Sequence, residues 1–154
     1  MFCTNLIDPY NKFQNRNVKN TPKSDYNCGG YALGTFSWYC PYPSDMSFTM
    51  TEGWCEECEA WEKTMYMVSN MIADFGGRVR VLYHKDQLEH NERLILFRTS
   101  SDGDFHYVVK KHNGYYHKRG ACSIIEKMTE EEVFETNWCW GRYDGPIVML
   151  AMKK

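Results

Sequence analysis

No apolar run in this chain of 154 residues is long enough to cross a membrane. The opening residues Met1-Phe2-Cys3-Thr4-Asn5 carry neither a basic stretch nor an apolar core, so no secretory signal is expected. An excess of basic charge is missing too. Lys and Arg number 18 against 20 Asp and Glu, a net charge of −2, which leaves no electrostatic footprint for nucleic acid or an anionic membrane. There is no internal repeat, linker or low-complexity tract, so residues 1–154 read as one domain, with 1–23 as an irregular N-terminal arm. No Gly-Lys-Ser/Thr follows Gly29-Gly30 or Gly76-Gly77, which excludes a phosphate loop. Cys55-Glu56-Glu57-Cys58 has the spacing of half a zinc site, but no second pair or His doublet completes it. No metal and no other cofactor is expected. Cysteine itself is abundant. Seven cysteines, an odd number without a leader, imply a reducing cytoplasm and free thiols, some of them buried as small hydrophobes.

One of those thiols stands in a distinctive stretch, Ser24-Asp25-Tyr26-Asn27-Cys28-Gly29-Gly30-Tyr31-Ala32-Leu33-Gly34. Asn27, or Ser24 a turn earlier, can cap a helix by accepting from a backbone N–H. Cys28 then falls in the first turn, where unpaired N–H groups and the helix dipole favour an anion, so its pKa is expected to fall toward neutrality. Gly29 and Gly30 leave room for another chain to approach closely.

In chain order, the first helix runs from about Asn27 and fades by about Tyr39, where Cys40-Pro41-Tyr42-Pro43 ends it. Thr49-Met50-Thr51-Glu52 has the form of a capping box. Behind it Trp54, Cys58, Trp61, Met65, Val68, Ile72 and Phe75 recur at helical spacing, the apolar face of a long helix ended by Gly76-Gly77. Alternation then predicts a strand at Val79, Val81 and Tyr83 and a buried strand at Leu94-Ile95-Leu96-Phe97. Phe105 to Lys110 and Tyr115 to Lys118 flank Asn113-Gly114, a hairpin signal. Thr129 opens a short helix through Phe134, and Ile147 to Met152 closes the chain as a strand. The fold class is α+β, with a Cys-bearing helix and a long helix packed on an antiparallel sheet.

A cysteine nucleophile needs a base in reach and a third group to orient that base. Of five histidines, His84 and His90 lie in a charged loop and His112 borders a turn, so all three read as solvated. His106 opens a strand directly after a turn, a rigid position at the rim of a sheet. His117 is a candidate third member. With Asn113 and Gly114 as the two turn residues, however, it faces Lys110 and is not beside His106. Asn137 and Asp104 are rivals for that role.

Asn27-Cys28 opening a helix, Leu94-Ile95-Leu96-Phe97, then His106-Tyr107-Val108-Val109, Asn113-Gly114 and Tyr116-His117 together resemble the papain-like superfamily, above all NlpC-like cysteine peptidases. The pattern Asn-Cys-x-x-Tyr-Ala-Leu-Gly with Asp-Phe-His-Tyr is also similar to a group of bacterial and phage proteins. The resemblance spans about Ser24 to Gly120 and departs at Gly29-Gly30, where NlpC-like enzymes usually carry Ser-Gly. It implies a papain-like fold with Cys28 as nucleophile, His106 as base and His117 orienting it. The oxyanion site would form around the Cys28 N–H with Tyr26, Asn27 and Gly29. The implied activity is hydrolysis of an amide in a peptide, protein or peptidoglycan-type substrate, in the cytoplasm, or in the host cytoplasm for a phage protein. Acyl transfer would use the same residues, and an inhibitory binding module would use the scaffold without the chemistry.

Overall fold

The computed structural model describes residues 25–41, 60–100, 103–119, 124–139 and 141–154. The expected N-terminal arm, Ser24, the Thr49 capping box, Trp54, Cys55 and Cys58 lie outside these residues.

Asn27 starts helix α1 (Cys28–Leu33) because its backbone is extended, at φ −97° and ψ −171°, while its side-chain oxygen accepts from Gly30 N. The helix is shorter than expected. It stops at Gly34, whose φ of +76° is a left-handed cap, and the Thr35 and Phe36 N–H groups turn back onto Gly30 O. The prolines near Tyr39 are therefore not what ends it. Helix α2 (Ala60–Asp74) gives way to Gly76 and Gly77 at φ +59° and +88°, as its glycine pair predicted.

Its buried stripe is rotated from the expected one. Thr64, Met67, Val68, Met71 and Phe75 face inward, whereas Trp61, Met65 and Ile72 are exposed. Two apolar stripes overlap on this helix, and spacing alone does not say which one meets the sheet. Polar anchors on the sheet and loops help fix the choice: Thr64 Oγ1 lies 2.9 Å from Thr99 Oγ1, and Tyr39 Oη donates to Asp74 at 2.7 Å.

Six antiparallel strands form one sheet: β1 (Val79–Leu82), β2 (Glu92–Thr99), β3 (Phe105–Lys111), β4 (Gly114–Lys118), β5 (Ile125–Met128) and β6 (Val148–Lys153). Their order is β1-β6-β2-β3-β4-β5, so the last strand inserts between the first two. This establishes the α+β class. Strand β5 was not predicted, because Ile125-Glu126-Lys127-Met128 has too little apolar alternation to announce itself. The short helix α3 (Glu130–Val133) carries the expected Thr129 capping box.

Both faces of the sheet are covered, which explains the unbroken apolar run Leu94–Phe97 in β2. On the first face, Ile95, Phe97, Phe105, Tyr107 and Val109 pack with α1, α2 and Tyr39. On the second, Leu94, Leu96, Val108 and Tyr115 pack with Val133, Trp138 and Tyr143 from the segment after β5. Buried Arg98 clamps that segment down. Its guanidinium donates to Gly145 O and Glu135 O at 2.8 Å each, and to Thr136 O. No helix of the described residues is long and apolar enough to cross a membrane.

The hairpin register differs from the expected one. Lys111 pairs Gly114, Lys110 pairs Tyr115 and Val109 pairs Tyr116, so the two turn residues are His112 and Asn113. Gly114 instead begins β4, at φ +148°, where a Cβ would lie 2.6 Å from the Lys127 side chain. The register thus shifts by two residues relative to an Asn113-Gly114 turn. His117 lies one residue past the last of these pairs, and its ring meets that of His106 with centroids 5.0 Å apart.

Candidate active site

Cys28 begins α1 and is buried, 5% exposed. The glycines behind it are required by close packing. A Cβ on Gly30 would lie 1.8 Å from Ser37 O, and one on Gly29 would lie 3.1 Å from the Tyr107 ring. Asn27 is a clamp as well as a cap. Its amide oxygen accepts from Gly30 N and Tyr39 N, and its amide nitrogen donates to Tyr39 O at 2.7 Å. Tyr26 sits edge-on to Phe36, and its carbonyl accepts from the buried Lys118 ammonium. Both residues flanking the thiol on its N-terminal side therefore hold backbone and neighbouring side chains in place.

The thiol is not the depressed one that a helix N-terminus predicts. Burial, reinforced by the nearby Asp104 carboxylate, pushes it up to about 12, against the lowering influence of the Tyr107 and Gly29 backbone N–H groups. A six-residue helix offers a short dipole, and loss of hydration outweighs it. At neutral pH the resting Cys28 is a neutral thiol.

The histidines are arranged differently. His84, His90 and His112 are exposed, as expected. His106 and His117 are both buried, and His106 Nε2 lies 2.8 Å from His117 Nδ1. His117 Nε2 lies 3.5 Å from Glu126 Oε2. With His117 Nε2–H donating to the Glu126 carboxylate, His117 Nδ1 accepts from His106 Nε2–H, and His106 Nδ1 keeps a lone pair. Burial is the largest cause holding both rings below the ordinary histidine pKa, aided at His106 by the second ring and opposed at His117 by Glu126. Both are neutral at pH 7.

Tyr143 stacks on His106 with ring centroids 5.0 Å apart and planes at 20°, and Trp138 meets it edge-on at 6.2 Å. The Asp104 carboxylate accepts from Phe105 N, Tyr143 Oη and Arg142 at 2.9, 3.0 and 2.9 Å. Asn137 bonds Thr136 at the surface, so His117 is the partner of His106.

The structure therefore brings His106 and His117 together, which the sequence register did not. The thiol packs with Tyr107 and Phe105 on the first face, whereas His106 points to the second, and no hydrogen bond joins the two among the described residues. What connects them is the β3 backbone. The Tyr107 N–H that bears on the sulfur is the next peptide after His106. The β3–β4 pairs run from Lys111–Gly114 to Val109–Tyr116, and α1 packs against both strands.

Sequence reasoning missed Cys139. The backbones of Trp138 and Tyr143 pair across a tight loop, which holds Cys139 at φ +53°. Its Sγ and the His106 and His117 ring nitrogens all lie within 4.8 Å of one another. A cavity of about 350 Å³ opens beside them, lined by His117, Arg119, Glu126, Glu132, Asn137 and Cys139. Within one sequence, nothing but an isolated Cys between two tryptophans marks this position. Comparison with models of protein families, with curated proteins and with solved structures finds no match.

Proposed function

We propose that the protein is a cysteine-dependent amide hydrolase of papain-like, NlpC-like design, with Cys28 as nucleophile, His106 as base and His117 as the positioning residue. The observation that supports this most is the buried 2.8 Å contact from His106 Nε2 to His117 Nδ1, backed by Glu126. That chain of donors fixes the ring so that His106 Nδ1 is the basic atom, the arrangement a thiol–imidazole dyad needs. Because the resting thiol is neutral, the proton must leave as the sulfur attacks the carbonyl carbon: His106 takes it, then gives it to the departing amine. Water then attacks the thioester as His106 takes one of its protons, and that proton passes to the sulfur as the C–S bond breaks. The Cys28 and Gly29 N–H groups are the oxyanion donors in this reading, because the Asn27 side chain is committed to Tyr39 and Gly30. The substrate is an amide in a peptide, protein or peptidoglycan-type molecule, met in the cytoplasm.

A panel of peptide, isopeptide and peptidoglycan-type amides tests the reading, with amine release measured for wild type, Cys28→Ala, His106→Ala and His117→Gln. Cys28→Ala should abolish release. His106→Ala should lower kcat by roughly 10²–10⁴-fold, and His117→Gln should lower kcat more than it changes KM. Undiminished cleavage by Cys28→Ala overturns the proposal.

A second reading draws on the neutral, buried thiol, which no hydrogen bond joins to His106 among the described residues: a papain-like body that engages and inhibits a partner protein without chemistry. It requires Cys28→Ala to keep the full biological effect.

A further inference from the structure

His106, His117 and Cys139 converge from three separate pieces of chain, β3, β4 and the Trp138–Tyr143 loop, onto one point beside an open cavity. Two imidazole nitrogens and a sulfur, mutually within 4.8 Å, form a donor set of the kind that borderline-soft divalent cations select. We propose that His106 Nε2, His117 Nδ1 and Cys139 Sγ form a site for a zinc-class divalent metal ion, with the fourth position open to the cavity.

The geometry is close to what such an ion requires. Tetrahedral bonds of about 2.0–2.3 Å put donor atoms roughly 3.3–3.6 Å apart. His106 Nε2 and His117 Nδ1, at 2.8 Å, need to part by about half an ångström, and the Cys139 sulfur lies within 4.8 Å of a ring nitrogen of each histidine. Glu126, 3.5 Å from His117 Nε2, supplies the outer carboxylate that metal-bound histidines commonly carry, and it aims the Nδ1 lone pair inward. Trp138 and Tyr143 wall off the far side of His106. The cavity rim adds Glu132 and Glu135 to Glu126, against Arg119 and Lys127, so carboxylates outnumber cations where an ion would come in.

Loading the site displaces protons without any change of oxidation state. The Cys139 thiol proton leaves to solvent as the S–metal bond forms. The His106 proton moves from Nε2 to Nδ1, so Nε2 can bind the metal in place of the hydrogen bond to His117. A metal-loaded His106 cannot act as the base of a thiol dyad. The site goes beyond the hydrolase reading: it shares two histidines with that reading, and it does not involve Cys28.

Titration of the intact, reduced, metal-free protein with Co²⁺, followed by Zn²⁺ competition, tests the site. One equivalent of Co²⁺ should give the intense visible bands of a tetrahedral ion and a thiolate-to-cobalt charge-transfer band, both erased by Zn²⁺. Cys139→Ser should remove the charge-transfer band, and His117→Gln should weaken Co²⁺ binding by about 100-fold or more. Cys28→Ala should keep both signals, so failure of the amide-cleavage reading leaves this test intact. Circular dichroism of each variant checks that it folds. If Cys139→Ser proves unfolded, selective protection of Cys139 from alkylation by Zn²⁺ in the wild-type protein replaces it. Absence of a thiolate band in folded wild type, retention of that band in folded Cys139→Ser, its loss in Cys28→Ala, or no Cys139 protection by Zn²⁺ overturns the proposal.

Discussion

Single residues carry the sharpest contrast between expectation and structure. Cys28 at a helix start promised a depressed pKa, but burial reverses the sign and pushes the thiol up to about 12. Alkylation follows the thiolate fraction, so iodoacetamide labelling of Cys28 in the native protein should rise about tenfold per pH unit from pH 7 to 10 without a plateau. Mass spectrometry of the labelled peptide checks this, and a plateau near neutrality would show a thiolate already present. The same sign sets the linkage. An acid whose folded pKa lies above its unfolded value of about 8.5 makes the folded state lose stability as pH rises through that interval. For His106 the sequence was informative: a strand-opening histidine after a turn is buried, rigid and bonded to a second ring. Cys139 was illegible, because what makes it notable is nearness in space to two distant histidines.

At the scale of elements, the start of α1 and the end of α2 were written in local chemistry: Asn27 as cap, Gly76-Gly77 as stop. Local chemistry also explains the glycine pair. Gly30 is there because a Cβ would sit 1.8 Å from Ser37 O, in a backbone that cannot retreat while Asn27 clamps Tyr39. Gly30→Ala should therefore cost about 3 kcal/mol, the upper range for overpacking, as read by denaturant unfolding. A loss within about 0.5 kcal/mol would show that the 35–39 loop gives way. Where two local signals competed, the sequence misled. Asn113-Gly114 reads as the turn itself, yet Gly114 is used as the first residue of β4 and the loop is His112-Asn113. That shift of two residues turns His117 from a stranger into the neighbour of His106. On α2, the expected stripe through Trp61, Met65 and Ile72 gave way to an overlapping one through Thr64, Met67 and Met71, because the sheet decides which face is covered.

For the whole molecule, the sheet with two covered faces is the organising fact, and Arg98 is the residue that joins its layers. Its fork holds three carbonyls of the 135–145 segment, which also brings Trp138, Cys139 and Tyr143 onto the second face. Arg98→Met should lower stability by roughly 3 kcal/mol, because buried carbonyls lose a charged donor. Hydrogen exchange should quicken across 129–145 and stay slow in α1 and β2; uniform quickening would mean that the two faces unfold as one unit. By itself, the sequence determined what nearest neighbours and periodicity control. These are the α+β class, a capped helix bearing Cys28, the buried run Leu94–Phe97 and the strand from Phe105 that carries His106. Only the tertiary structure decided the rest: the insertion of β6 between β1 and β2, the strand β5, the hairpin register, and the meeting of His106, His117, Glu126 and Cys139. The reason is physical. Capping and alternation act over a few residues, whereas register, strand order and convergence of side chains are set by packing between segments far apart in the chain.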